Sequence, residues 1–199
     1  MNISIILAHP NPGSFNHAIA SAAAEALEQN NHKVALHDLY QEQFPPLFSA
    51  AELRKDAPLD PAIASHISEI TQAGGIIIVH PNWWGMPPAI LKGWIDRVLR
   101  MEFAYRFVAN DKGEGVPVGL LKARSAIVFN TANTPDDRER IIFGDPLETL
   151  WKKCVFDLCG VKHVLRRTFS VVITSTPAQR AVWLREARAA VAGCFPPEK

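Results

Sequence analysis

The sequence predicts a doubly wound α/β fold, in which helices cover both faces of one parallel sheet. Short apolar runs alternate with longer segments of helical period throughout the 199 residues. The runs are continuously apolar, as strands buried on both faces should be. The composition, 48% hydrophobic and 21% charged, fits a single globular domain over residues 1–199 with a continuous core.

Each element has its own signal. Residues 3–8 form the first predicted strand, and the alanine-rich helix 16–29 follows with Ile19, Ala23, Ala26 and Leu27 on one face. Strand two is 33–39. Helix 60–73 places Ile63, Ile67 and Ile70 together, with Pro61 in its first turn. Strand three is 75–80. The helix after Pro88 carries an apolar stripe of Ile90, Leu91, Trp94, Ile95, Val98 and Leu99, leaving Lys92, Asp96, Arg97 and Arg100 outside it. Strand four is 124–130. Helix 146–159 would bury Leu147, Leu150, Trp151, Cys154, Val155 and Leu158, and Gly160 would stop it. The fifth strand lies within 164–172, and the last helix, 178–192, is entered through Ser175-Thr176-Pro177. Five strands and five helices in alternation fit the flavodoxin-like strand order 2-1-3-4-5. Segments 40–59 and 103–119 read as long irregular loops, which usually cover a site, line an interface or move.

Charge and patterning exclude several classes. Lys+Arg 21 against Asp+Glu 20 leaves a net charge of +1, too little field to favour nucleic acid or an anionic membrane. The longest uncharged stretch, 70–91, could span a bilayer by length, but its glycines and prolines rule out a membrane helix. The N-terminus lacks the basic region of a signal peptide, so a cytoplasmic location is expected. Cys154, Cys159 and Cys194 lack metal-ligand spacing and read as reduced thiols; no metal is expected.

Ligands of such a sheet bind beyond the carboxyl ends of the strands, where the strand order reverses. After strand one, His9-Pro10-Asn11-Pro12-Gly13-Ser14-Phe15-Asn16-His17 runs into a helix and reads as a phosphate cradle or as a simple helix cap. It lacks the GxGxxG spacing and the Walker lysine. His9 is a donor to a ligand or a structural histidine. After strand three, Pro81-Asn82-Trp83-Trp84-Gly85 offers aromatic faces and backbone amides to a flat ring, unless both indoles pack beneath the loops. After strand four, Thr131, Ala132 and Asn133 either meet the polar edge of a ring or form a turn and helix cap. No Ser-His-Asp motif, paired-carboxylate signature or HExxH appears. His9 and His80 sit at strand ends where function is plausible, whereas His17, His32, His37, His66 and His163 read as surface or packing residues. Arg166-Arg167 reads as a solvated or strand-edge pair.

These residues resemble a known family. Ala8-His9-Pro10 with Ser14-Phe15-Asn16, the run Pro88-Ala89-Ile90-Leu91-Lys92-Gly93-Trp94, and Glu102-Phe103-Ala104-Tyr105 are similar to the flavodoxin-like NAD(P)H:quinone oxidoreductases. The resemblance extends over nearly the whole chain and includes Thr176-Pro177-Ala178. It implies a bound flavin reduced by NADPH or NADH and reoxidised by a quinone in a ping-pong cycle. Ser14, Phe15 and Asn16 would hold the flavin phosphate near His9; Pro81, Asn82, Trp83, Trp84 and Gly85 would follow the ring edge; Thr131, Ala132 and Asn133 would meet its polar end. Glu102 and Arg180 match positions near the adenosine half, which favours FAD over FMN. Trp84 and Asn133 would line the substrate pocket, and a homodimer would complete it. Asp137 and Phe143 stand where well-studied members have a tyrosine and a histidine, which puts their charge relay in doubt. The competing readings are a redox-sensing accessory flavoprotein of a membrane transporter and a nitro- or azoreductase with the same hydride chemistry.

Overall fold

A computed structural model describes residues 1–54 and 57–197; Lys55 and Asp56, inside the predicted loop 40–59, and the last two residues of the 1–199 span lie outside the described residues. The main sheet has strands β1 (Asn2–Leu7), β2 (Lys33–Asp38), β3 (Gly75–Pro81), β6 (Ser125–Ala132) and β7 (His163–Ser170), all parallel in the order β2-β1-β3-β6-β7. Counting this sheet's strands in sequence gives the expected 2-1-3-4-5. Every residue of β3 is buried, as its unbroken apolar run requires, whereas the edge strands β2 and β7 are partly exposed. Register pairs Leu7 with Asp38 and with Val79, and Pro81 with Thr131. The carboxyl ends therefore share one rim.

Two apolar layers cover the sheet. Helices α1 (Phe15–Gln29) and α6 (Pro177–Cys194) pack Ile19, Leu27, Trp183 and Ala187 against Ile5, Val79 and Phe129. Helices α2 (Pro61–Gln72) and α3 (Ala89–Val98) pack Ile63, Ile67, Leu91 and Trp94 against Ile6, Ile78 and Val128. The helix starts follow their sequence signals: Ser14, Asp60 and Thr176 each accept a hydrogen bond from a first-turn amide.

Four expectations are corrected. Segment 103–119 is largely an antiparallel hairpin, β4 (Tyr105–Ala109) with β5 (Gly115–Gly119), packed so closely that a Cβ on Gly119 would lie 2.1 Å from the Gly160 nitrogen. The predicted helix 146–159 opens as one α-turn, α5 (Pro146–Thr149), and continues as a π-helix, Leu150–Asp157. That wider winding leaves Cys154 exposed while Trp151, Val155 and Phe156 are buried. A short helix, α4 (Asp136–Ile141), follows β6; six residues are too few to show a period. Arg97 is not on a solvated face: its guanidinium is buried against Glu52 of a 3₁₀ turn, Ala50–Leu53, inside the predicted loop. The three cysteines are free thiols, and burial pushes Cys159 up to about 12.

The supposed packing histidines include an organised cluster. His37, Glu42 and His66 bring ligand-type atoms within 4.8 Å of one another. Their protons are already committed. Trp94 donates its indole N–H to His66 Nδ1 at 3.2 Å, so neutral His66 keeps its proton on Nε2, facing Glu42 at 3.4 Å. Both His37 nitrogens face carboxylates, Glu42 and Glu69, each at 2.8 Å. Burial works against charge on His37, but these two acceptors outweigh it and raise its pKa. His66 is pushed down to about 4, chiefly by burial.

Candidate functional site

The loop after β1 is built from its own polar groups. Asn11 N–H donates to His9 Nδ1 at 3.1 Å, and Asn11 Oδ1 accepts from Gly13 N–H at 3.0 Å. The neutral His9 proton therefore sits on Nε2, and burial, with His17 nearby, lowers the His9 pKa. Phe15 and Asn16 open α1, where backbone N–H groups have no acceptor within the helix. Phe15 packs its ring on Phe169 and Trp183.

A Ser-His-Asp constellation, absent as a sequence motif, is assembled by the fold. Ser14 Oγ lies 2.8 Å from His17 Nδ1, and His17 Nε2 lies 2.9 Å from Asp38 Oδ2. Asp38 ends β2 directly beside Leu7, so strand pairing brings it to the loop from 21 residues beyond His17. His17, expected as a surface or packing residue, is hydrogen-bonded on both ring nitrogens, to Ser14 and Asp38.

Asn16 is 2% exposed and donates from Nδ2 to Thr131 Oγ1 at 2.9 Å, but its Oδ1 is buried without a partner. A buried acceptor left unmade is destabilising by roughly 1–3 kcal/mol. A ligand hydroxyl could satisfy it. Alternatively, the amide could reverse, accepting the Thr131 proton and turning its NH₂ toward an anion. Both solutions fit a phosphate with an attached polyol chain, as a flavin nucleotide has.

The loop after β3 forms the adjoining wall. Asn82 N–H donates to Thr131 O at 2.7 Å, and Trp83 and Met86 exchange backbone hydrogen bonds at 3.0 Å. Between them Trp84 and Gly85 have φ of 58° and 71°, a tight turn of the I′ kind that suits glycine at its second position. A Cβ on Gly85 would also lie 2.6 Å from Pro146 Cγ. Neither indole is core: Trp84 is fully exposed, and Trp83 is partly exposed with its ring centroid 6.3 Å from that of His9. A cleft of about 540 Å³ beside the turn is lined by Asn82, Trp84, Gly85, Thr134, Glu139 and Phe143, among others.

Glu139 was not singled out by sequence reasoning. It is 6% exposed on α4, accepts from Asn82 Nδ2 at 2.9 Å, and so braces the side chain whose Oδ1 accepts from Gly85 N–H. Its only sequence signal was an acid in a polar post-strand segment. Glu139→Leu is expected to raise the KM for an electron acceptor about tenfold, equivalent to ~1.4 kcal/mol of lost binding, with kcat changed less. Steady-state kinetics check this; unchanged KM would show that the turn holds without the brace.

The other predicted residues are placed as follows. Ala132 O and Asn133 Oδ1 accept from Val172 and Ile173 N–H, tying the loop after β6 to that after β7. Glu102 is exposed at a φ of 71° next to β4, in the layer of α3. Arg180 lies on α6, in the opposite layer, and donates from Nε to Ser175 Oγ at 2.8 Å. One chain does not bring Glu102 and Arg180 together. Asp137 caps the Arg138 amide, and half-exposed Phe143 lies under the Arg138 guanidinium.

Beneath the rim, His80 is fully buried rather than facing a ligand. Nδ1–H donates to Pro81 O at 2.8 Å, while Nε2 accepts from Trp151 Nε1 at 2.9 Å and from Asn130 Nδ2 at 2.8 Å. Asn130 Oδ1 accepts from Arg166 Nε at 2.7 Å, and Arg166 also pairs with Asp145 and Glu148. Arg166 is therefore buried and bonded, whereas Arg167 is the solvated member of the pair. Burial pushes His80 down to about 3. Because His80 and His66 are depressed, their stabilisation is fully present above the unfolded imidazole value and is lost as pH falls toward the folded values. Between about pH 6.5 and 4, unfolding stability should fall by up to ~1.4 kcal/mol per pH unit for each histidine. Urea titrations at pH 7, 6 and 5 measure the slope; a flat profile would contradict it.

Comparison with known proteins places this geometry. A family profile described as "Flavodoxin-like fold" matches residues 1–192. A Haemophilus influenzae protein named "Uncharacterized NAD(P)H oxidoreductase" is 36% identical over 168 residues, 82% of this chain and 81% of that one. The guinea pig (Cavia porcellus) "NAD(P)H dehydrogenase [quinone] 1" is 36% identical over 129 residues, 55% of this chain and 47% of its own length, so the matched region is about half of that enzyme. Among solved structures, Smu.1420 from Streptococcus mutans is 30% identical with a TM-score of 0.83, covering 97% of this chain and 100% of that one. With the parallel order, the post-strand crevice and the profile in agreement, the chain belongs to the flavodoxin-like fold family.

Proposed function

We propose that this chain is a flavin-dependent NAD(P)H:quinone oxidoreductase. The carrying observation is that the Asn16–Thr131 contact, with its unpartnered buried amide oxygen, is linked through the Asn82 N–H to Thr131 O hydrogen bond to the open Trp84–Gly85 turn. When bound, the flavin supplies the hydride-accepting and hydride-donating chemistry. The chain supplies the rest. The amides of Phe15 and Asn16, Ser14 Oγ and His9 would hold the phosphate end; Asn82 and Gly85 would shape the ring wall, and Trp84 offers a bare indole face to a flat nicotinamide or quinone.

FAD is the proposed flavin, with FMN the alternative, and NADPH or NADH the donor. A cytoplasmic homodimer belongs to the same proposal. Among the described residues no helix is long and apolar enough to cross a membrane. In the proposed dimer, Glu102 of one copy and Arg180 of the other would flank one flavin. Reconstitution with each flavin, mass identification of what is retained, and steady-state quinone reduction with each nicotinamide test the reading. A protein that retains no flavin and oxidises neither nicotinamide with quinone would refute it.

A further inference from the structure

We propose that the Ser14–His17–Asp38 chain couples binding of the flavin phosphate to uptake of a proton on His17. The inference rests on the flavin reading above and extends it to a residue outside the expected phosphate loop contacts.

The argument is a count of hydrogens. Asp38 Oδ2 lies 2.9 Å from His17 Nε2, which fixes a proton on that nitrogen. Neutral His17 then offers a bare Nδ1, 2.8 Å from Ser14 Oγ, and takes the Ser14 hydroxyl proton as its hydrogen-bond donor. In that state Ser14 accepts the His17 backbone N–H with one lone pair and presents only the other to the crevice. Phosphate oxygens are acceptors as well, so the two repel.

One added proton reverses the polarity. With Nδ1 protonated, His17 donates to Ser14 Oγ, and the Ser14 hydroxyl is released to donate to a phosphate oxygen. The added charge sits between the Asp38 carboxylate and the incoming anion. Asp38 is itself held by the Tyr40 and Gln41 amides, both donating to Oδ1, which keeps Oδ2 on His17. The other titratable group facing His17 is His9, with ring centroids 6.3 Å apart; its Nδ1 is occupied by the Asn11 amide, and burial works against charge on it. A second, independent feature marks this as a ligand site: the orphaned Oδ1 of Asn16, two residues from Ser14 and nine-tenths buried.

The proton balance is simple. Apo-protein, flavin nucleotide and one proton from solvent give the complex; no bond other than N–H is made. Calorimetric titration of the apo-protein with FAD and FMN, in buffers of different ionisation enthalpy near pH 7.5, reads the uptake directly. Riboflavin, which has no phosphate, is the control. Nucleotide binding should take up as much as about one proton more than riboflavin, and affinity should rise up to about tenfold per pH unit as pH falls through the coupled range. His17→Asn offers a non-titrating N–H at the Nδ1 position and should bind nucleotide with no such uptake. Ser14→Ala should lose the uptake by removing the link. Should either variant fail to fold, the other, with the riboflavin control, still decides.

Equal proton uptake with riboflavin and the nucleotides, or full uptake surviving in Ser14→Ala, would overturn the inference and leave the flavin reading intact. A protein that binds none of the three flavins would overturn both.

Discussion

Asn16→Leu is expected to lower flavin nucleotide affinity about 100-fold, equivalent to ~2.7 kcal/mol, while moving the thermal midpoint little. Leucine fills nearly the same buried volume. The Thr131 bond is lost, but so is the unpartnered Oδ1, and removing a frustrated acceptor offsets much of the loss of one hydrogen bond. The ligand end has no such compensation, because leucine offers neither a donor nor an acceptor to a bound nucleotide. Flavin fluorescence quenching and a thermal melt on the same samples separate the two effects. Wild-type affinity in Asn16→Leu would remove Asn16 from the site, and with it the main structural support for the cradle.

Trp151→Ala should be the most destabilising of these substitutions, at about 3–5 kcal/mol. The indole is fully buried, packs on Phe156 and donates to His80 Nε2, so truncation opens a cavity and removes a donor together. Trp151→Phe should be milder, refilling much of the volume but leaving His80 Nε2 with Asn130 alone, at about 1–3 kcal/mol. Urea unfolding at neutral pH distinguishes them. If alanine and phenylalanine cost the same, the hydrogen bond rather than the packing dominates at this position.

What could be read from the sequence follows from what is local. The unbroken apolar run of β3, the Pro61 start of α2 and the Ser175-Thr176-Pro177 entry to α6 each carry their cause within a few residues, and the strand order followed from their alternation. Ser14, Asn16 and the Trp83–Trp84 turn were legible for the same reason, lying just beyond predicted strands. The hairpin was not. Its residues from Arg106 to Ala109 are all exposed, so no buried face imposes a period of two, and Pro117 argued against a strand. The supporting partners were also invisible. Glu139 is 57 residues from Asn82, Asp38 is 21 from His17 and Glu52 is 45 from Arg97. Those pairings exist only once strand register and layer packing have fixed which ends meet.

The fully solvated indole of Trp84 also makes the crevice visible to light. Of the five tryptophans, Trp94, Trp151 and Trp183 are buried and Trp83 is partly covered, so the red edge of the protein's emission belongs mainly to Trp84. Anything that settles on that face should shift or quench this edge while the shorter-wavelength emission stays in place. The same unlabelled chain can therefore report on its own occupancy in a stopped-flow cell.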